Sequence, residues 1–332
     1  MELKVRNVNH AVGEALWLMK TSAVEESSRN GPVLVLPEPL MITYTHPTER
    51  ILFWPARDAN VFFHIMECLW MLSGRNDVNF VRHFNGKMGD YSDDGKTFNG
   101  AYGYRWRNRF GFDQLKAIIE HLKETPNSRR AVLGMWSPQH DLENLKSKDV
   151  PCNTQAYFDL RGGVLNMTVT NRSNDLMWGM LGANAVHFSF LQEFVAGALE
   201  VPVGVYRQFS NNVHLYTELY DFKKHLSFPP DTREWNYYDI VGTRPYPLLS
   251  ASEKWEDWLV DCARFCDAPF EKRAEYRCVY FNHVAQPIAR SYFERKNKDY
   301  DKAKFWATQI AAVDIRRAAL EWIERREHAQ AN

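Results

Sequence analysis

PCNTQAYFDLRGGVLNMTVTNRSND, running from Pro151 to Asp175, decides the fold. Thr154–Leu160 reads as a strand, Gly162-Gly163 as a tight turn, and Val164–Thr170 as the returning strand of a hairpin. The two ends of that hairpin carry chemistry. Cys152 stands at the start, and Arg172, Ser173 and Asp175 crowd into four positions at the end. A cysteine attacks as its thiolate, and a neighbouring guanidinium favours that form. The segment admits two readings: a strand cysteine beside a solvated charge cluster, or a thiol that adds to an electron-poor ring while cations hold an anionic substrate.

Working outward, further elements fall on either side. Ile51–Pro55 looks like a short strand. Asn60–Ser73 has helical apolar spacing at Phe63, Met66, Leu69 and Trp70, and Gly74 is its expected C-cap. Lys87–Gly100 reads as an exposed loop and Phe112–Lys123 as an amphipathic helix. Arg130–Trp136 and Val203–Ser210 read as strands. Asn184–Leu199 is a long apolar helix expected at the centre of the fold. Val213–Lys224 reads as a helix, and Ser227–Pro247 as loop with short extended pieces. The chain from Glu253 is helical, with Trp255, Trp258, Leu259, Cys262 and Phe265 on one face, and Lys302–Arg326 is helical again. The class is α+β, with a helical C-terminal part.

The 332 residues are 45% hydrophobic and 25% charged, enough for a sizeable core. Lys+Arg and Asp+Glu both number 41, so no global field draws nucleic acid, and an anion site has to be local. Five cysteines, an odd number, argue against a disulfide framework and for a reducing compartment. Cys262 and Cys266 read as packing. The start, Met-Glu-Leu-Lys-Val, has no apolar leader region, and the expectation is a soluble cytoplasmic protein.

Several polar residues stand out. Ser128-Arg129-Arg130 is either an exposed basic turn or a phosphate grip. Arg172 with Ser173 offers a guanidinium fork and a hydroxyl. Arg29, in a Ser-Ser-Arg-Asn-Gly stretch, is either a surface turn or a flexible anion-gripping loop. Glu67 sits on a largely apolar helix, where a carboxyl is either part of one polar stripe beside His64 or a general acid/base. Asn184 is either an N-cap or an amide that reads a ring edge with a donor and an acceptor. His214 and Tyr216, two apart, share a face if extended and could then hold a sugar hydroxyl together; the other reading is a surface histidine and a packed tyrosine at a helix start.

These stretches resemble the thymidylate synthase superfamily in order and spacing over residues 27–248. The match rests on Pro151–Tyr216 together with ECLWMLSG (Glu67–Gly74), AYGYRWR (Ala101–Arg107) and NSRRAVLGMW (Asn127–Trp136). The resemblance implies a mixed or antiparallel sheet packed with helices and forming a dimer interface. Residues 1–250 would be the catalytic domain and 251–332 a helical extension packed on it. Cys152 would be the nucleophile at C6 of a pyrimidine. Arg29, Arg172 and Ser173 would hold the 5′-phosphate, joined by Arg129 and Arg130 from the other subunit of a homodimer. Asn184 would read the base, and His214 and Tyr216 would hold the 3′-hydroxyl. Glu67 and Tyr102 would belong to the proton-transfer network. Asp175, also a catalytic residue, and Gly179 would lie by the base and the pterin of 5,10-methylenetetrahydrofolate, with Met88 beside the pterin. Addition of the thiolate makes C5 nucleophilic toward the one-carbon unit. Hydride then gives a methyl group and water a hydroxymethyl group. No membrane and no obligate nucleic acid are implied.

Four departures from the ordinary synthase bear on the product. Asn153 replaces the usual histidine after the cysteine. One residue is inserted in Trp178–Asn184, leaving Ala183 as a competing register. Met88-Gly89-Asp90-Tyr91 replaces a tryptophan-rich stretch. The apolar C-terminal tail that closes over the folate is absent. Loss of the tryptophan and the tail exposes the C5 methylene to water, which points to hydroxymethylation. Arg130 and Ser173 point to a 2′-deoxy substrate. The local motif resembles the cytidylate branch, so the expected reaction is dCMP to 5-hydroxymethyl-dCMP. The alternatives are a dUMP-specific synthase or hydroxymethylase, and a catalytically idle nucleotide- or RNA-binding relative.

Overall fold

The computed structural model describes residues 1–218, 231–240, 242–268, 270 and 272–331. Its main sheet has six strands in the order β1-β4-β9-β7-β6-β5. These are β1 (Glu2–Val5), β4 (Leu40–Tyr44), β5 (Val132–Gly134), β6 (Asn153–Arg161), β7 (Val164–Asn171) and β9 (Val203–Ser210). The β6–β7 hairpin turns at Gly162 and Gly163, both at positive φ (61° and 76°) where a side chain is disfavoured. The β5, β6, β7 and β4, β9 neighbours are antiparallel, and β1/β4 and β7/β9 are parallel. A second sheet, β2-β3-β10-β8, joins β2 (Val24–Ser28), β3 (Gly31–Val35), β8 (Asn174–Asp175) and β10 (Val213–Tyr216).

β7 shows the logic of the main sheet. Leu165, Met167, Val169 and Asn171 are buried, and the alternating Val164, Asn166, Thr168 and Thr170 are half-exposed. The buried face meets the apolar helix α5 (Asn184–Ala198), where Phe188, Phe190, Leu191, Phe194 and Val195 are all within the core. The opposite face of the sheet carries Gln155, Tyr157, Thr168, Thr170, Arg207 and Phe209, none of them buried.

Among the remaining helices are α1 (Val8–Ser22), α2 (Val61–Leu72), α3 (Val78–Phe84) and α4 (Gln114–Glu124). The C-terminal part adds α6 (Trp255–Asp267), α7 (Gln286–Lys296), α8 (Tyr300–Thr308) and α9 (Val313–Ala331). Helix α2 begins where Asn60 Oδ1 accepts from Phe63 N at 3.1 Å, and it ends before Gly74, whose φ is 76°. It is apolar nearly all round because α5, α6, α7 and α9 all pack on it. Residues of the C-terminal part, such as Trp258, Phe265 and Trp322, therefore share the central core. At the far end, Asp58 accepts from Arg325 Nε (3.0 Å) and Arg326 Nη1 (2.6 Å).

Gly103 meets α2 backbone to backbone: a Cβ there would lie 1.9 Å from Met71 O. That contact seats the helical segment 102–109, which also holds Arg105. Arg105 and Asp141 are fully buried, with both Nη atoms on the carboxylate at 2.7 Å. Arg105 also donates to Asn99 O and Met135 O. Arg105→Met removes the cation and leaves Asp141 stranded. The expected loss is about 3–5 kcal/mol in a urea melt, and a loss below about 1 kcal/mol would contradict this account of the pair.

Several expectations are corrected. Ile51–Trp54 forms no strand, and a short 3-10 turn (Pro55–Arg57) follows. Val213–Tyr216 is a strand, not the start of a helix, because it pairs with β3 and β8; residues 219–224 of that expected helix lie outside the described residues. In Ser227–Pro247, residues 227–230 and 241 are likewise outside, and Tyr237–Ile240 is one helical turn. Lys87–Gly100 contains a 3-10 turn over Gly86–Tyr91, and Ser92 and Phe98 within it are buried. The expected C-terminal helix breaks at residues 309–312 into α8 and α9.

Candidate active site

The hairpin and the second sheet meet at a cavity of about 590 Å³. Cys152, Glu67, Tyr102, Asp175, Arg29, Arg172, Ser173, Asn184, His214, Tyr216, Gly179 and Met88 all line it. Arg129 and Arg130 do not; both are exposed on the approach to β5.

Cys152 sits half-buried just before β6, where the β6–β7 register shifts. Its backbone is fixed from two sides. Tyr102 Oη accepts from Cys152 N at 3.2 Å and from Asn153 N at 3.1 Å. Burial raises the Tyr102 phenol, so it stays protonated and can also donate. From the other side, Arg172 Nε donates to Pro151 O (2.8 Å) and Nη2 to Val150 O (2.9 Å). Nη2 also lies 3.7 Å from Cys152 Sγ. Burial pushes the thiol up, Arg172 and Arg29 pull it down, and the Asp149 carboxyl pushes it up again. Arg172→Ala is therefore expected to raise the thiol pKa further. Iodoacetamide alkylation of Cys152, followed by peptide mass, should move to higher pH; an unmoved profile would remove Arg172 from thiol activation.

A chain of amides crosses the cavity floor. Asn153 Nδ2 donates to Asn184 Oδ1 (3.2 Å), Asn184 Nδ2 to Asn174 Oδ1 (3.0 Å), and Asn174 Nδ2 to Ser210 Oγ (3.1 Å). This corrects the N-cap reading of Asn184: it is the first residue of α5, and its side chain makes no cap bond. Ala183 also lines the cavity, yet the amide is at 184. The Leu176–Ala183 segment before it is a π-helical stretch kinked at Gly182. A Cβ on Gly182 would meet Met177 O at 2.9 Å and Arg57 Nη2 at 3.0 Å.

Glu67 faces the cavity from α2, and His187 Nε2 of α5 lies 3.0 Å from Glu67 Oε2. Glu67 and His64, three apart on α2, both approach His187 and form a small polar stripe on an otherwise apolar helix. Burial, with help from Arg57 and His187, lowers the His64 pKa well below its usual value, so it is neutral. On the other wall, His214 and Tyr216 share one face of β10, with ring centroids 5.1 Å apart. His214 Nδ1 meets Asn212 Oδ1 at 3.0 Å, which leaves Nε2 for a ligand. Burial lowers the His214 pKa.

Asp175, on β8, caps the π-helical stretch through Trp178 N. Burial raises its carboxyl to about 6, against hydrogen bonds from Trp178 N and its neighbours and the Arg57 charge. Its Oδ2 is buried and has no hydrogen-bond partner among the described residues. Met88, Tyr91, Leu145 and Trp178 form apolar walls around the cavity, and Tyr91, Leu145 and Trp178 are exposed. One wall residue escaped the reading of the sequence. Asp149 lines the cavity three positions before Cys152, and burial raises its carboxyl to about 6. In Lys-Ser-Lys-Asp-Val-Pro it resembles a solvated charge; its closeness to Cys152 was the available signal.

One cavity thus holds the Cys152 thiol, the Arg29 and Arg172 guanidinium groups, the Asn184 amide and the unpartnered Asp175 Oδ2, groups suited to a polar, anionic ligand. The thymidylate synthase family model matches residues 48–233, and the chain belongs to that family. A deoxyuridylate hydroxymethyltransferase of Pseudomonas phage M6 is 45% identical over 337 residues, covering 98% of this chain and 95% of that protein. A second protein of the same name, from Bacillus phage SP01, is 42% identical over 195 residues, 56% of this chain and 51% of its own length. Among solved structures, thymidylate synthase from T4 phage aligns with a TM-score of 0.54 at 20% identity, over 73% of this chain and 98% of that one, and shares the fold.

The chain is thus an enzyme that transfers a one-carbon unit to a pyrimidine nucleotide, and its donor is 5,10-methylenetetrahydrofolate. The cavity fits that donor. The unpartnered Asp175 Oδ2 offers an acceptor to a heterocyclic N–H, and the apolar walls suit a flat ring. Among the described residues, no helix is long and apolar enough to cross a membrane.

Proposed function

We propose that the protein hydroxymethylates C5 of dUMP. The observation that carries the chemistry is the placement of the Cys152 thiol beside Arg172, in the same cavity as the Asn184 amide. What favours dUMP over the expected dCMP is the name shared by the relatives, one of them aligned over nearly its whole length.

Each residue then has a task. Arg29, Arg172 and Ser173 receive the 5′-phosphate, and His214 and Tyr216 the 3′-hydroxyl. Asn184 meets the 4-oxo and N3–H edge with one donor and one acceptor. Cys152 adds to C6, which makes C5 nucleophilic. The bound folate supplies the one-carbon unit. Glu67 with His187, and Tyr102, stand where protons of the ring can be held. Asp175 and Gly179 position the donor, with Met88 alongside. The exposed rim of Tyr91, Leu145 and Trp178 leaves water a path to the C5 methylene, so the hydroxymethyl outcome is favoured.

dCMP is the second reading, and the amide chain is what favours it. Asn153, Asn184, Asn174 and Ser210 each donate and accept, so the whole chain can reverse and present the opposite edge. In the same picture, the polar, half-exposed face of the main sheet meets a second copy, and that copy contributes Arg129 and Arg130 to the phosphate site. Residues 1–250 make the catalytic domain, and the helices beyond buttress α2.

Product mass decides among these. dUMP and dCMP are each incubated with methylenetetrahydrofolate. The reading expects dUMP to gain one formaldehyde unit. A gain of one methylene unit, or reaction with dCMP alone, contradicts it.

A further inference from the structure

The reaction proposed above needs something to take a proton from the attacking water. We infer that Asp149 is that general base, an inference that rests on the hydroxymethyl reading.

In that reading the other acceptors have tasks of their own: Glu67, 3.0 Å from His187 Nε2, holds ring protons, Asp175 Oδ2 faces the folate while Oδ1 caps the π-helical stretch, and His214 Nε2 faces the 3′-hydroxyl. Asp149 Oδ2 accepts from Gly100 N at 2.7 Å. Its other oxygen lies 2.6 Å from where a Cβ on Gly100 would stand, so residue 100 makes room for the carboxylate. Asp149 belongs to the segment that carries Cys152, and both line one wall with Tyr102, Ser147 and Lys148. The charged and titratable groups acting on it are Arg105, Asp93, Asp141, Tyr102 and Cys152. Arg105, the cation that acts on it, spends both Nη atoms on Asp141. A half-buried carboxylate that forms no salt bridge among the described residues and lines the cavity suits proton abstraction from water at neutral pH.

The step balances. The water oxygen bonds to the exocyclic carbon, and the methylene π pair moves into the ring toward O4. One water proton goes to Asp149. The ring pair then returns to re-form C5=C6 and expels Cys152 as thiolate. Asp149 and the thiolate repel each other when both are charged, so the arriving proton also eases departure of the sulfur. The proton finally returns to Cys152.

The test uses the full chain with dUMP and methylenetetrahydrofolate. Asp149→Asn is expected to cut hydroxymethyl product by about 100-fold or more. Intact-protein mass should then show the nucleotide plus one carbon held on Cys152, because only the later step is blocked. Asp149→Ala should behave alike, and added formate should restore product; a packing role gives no such rescue. Product within about twofold of the unmutated rate for both variants overturns the inference. So does loss of the adduct together with the product, or absence of formate rescue in a folded Asp149→Ala protein. A methyl product from the unmutated enzyme overturns the parent reading as well, which separates the two failures.

Discussion

Replacing Cys152 with alanine is expected to stop one-carbon transfer, with kcat falling by about 10⁴-fold or more. No other thiol can stand in. Cys68, Cys262, Cys266 and Cys278 are buried away from the cavity wall, and Cys262 is engaged with Leu69 O at 3.1 Å. Burial raises the Cys68, Cys262 and Cys278 thiols further above the usual range, which removes them as nucleophiles. Binding should survive the change. Arg172 holds its place through Pro151 O and Val150 O, which the substitution leaves intact. The expected pattern is therefore a lost turnover with a nearly unchanged dissociation constant for dUMP. It is measured as tritium release from C5-labelled dUMP alongside equilibrium dialysis. Release that persists in Cys152→Ala would end the covalent account.

The second large effect is expected at Asn184. Asn184→Asp replaces a group that donates and accepts by one that, ionised, only accepts. The uracil 4-oxo group then faces a carboxylate oxygen in a buried site, with no donor between them. The kcat/KM for dUMP should fall by about 100-fold or more, because a buried acceptor left unpaired is costly. The ratio should move toward dCMP, since the cytosine amino group can donate to the new carboxylate. Asn153 Nδ2 still has an acceptor after the change, and Asn174 can turn its amide to donate, so the fold is expected to stand. A dUMP rate within about twofold of the unmutated enzyme would remove Asn184 from base reading.

Much of the site was legible because its chemistry is local in sequence. Cys152 precedes one strand of a hairpin and Arg172 ends the other, so pairing of β6 with β7 alone brings sulfur and guanidinium together. The strand β10 was not legible. Four residues give too short an alternation to set against the helix-like continuation, and the decision comes from pairing with β3 and β8, distant in sequence. His214 and Tyr216 still fell on one face because their spacing of two fits the strand they form. Asn184 is legible as an amide, but its setting is not: Asn153 and Asn174, 31 and 10 residues away in sequence, meet it only in the folded chain. Asp149 was hidden among lysines, and only the three-dimensional turn at Gly100 shows it facing the cavity. Arg129 and Arg130 lie exposed outside the cavity of their own chain, a placement that fits the basic-turn reading as well as a phosphate grip on a second copy.

The central claim is that Cys152 chemistry opens C5 to a one-carbon unit that water, not hydride, completes. Turnover of dUMP in heavy-oxygen water tests it most directly. The account predicts a hydroxymethyl product that carries the heavy oxygen, with tetrahydrofolate released. A methyl product accompanied by dihydrofolate, or a hydroxymethyl group without the label, would contradict it.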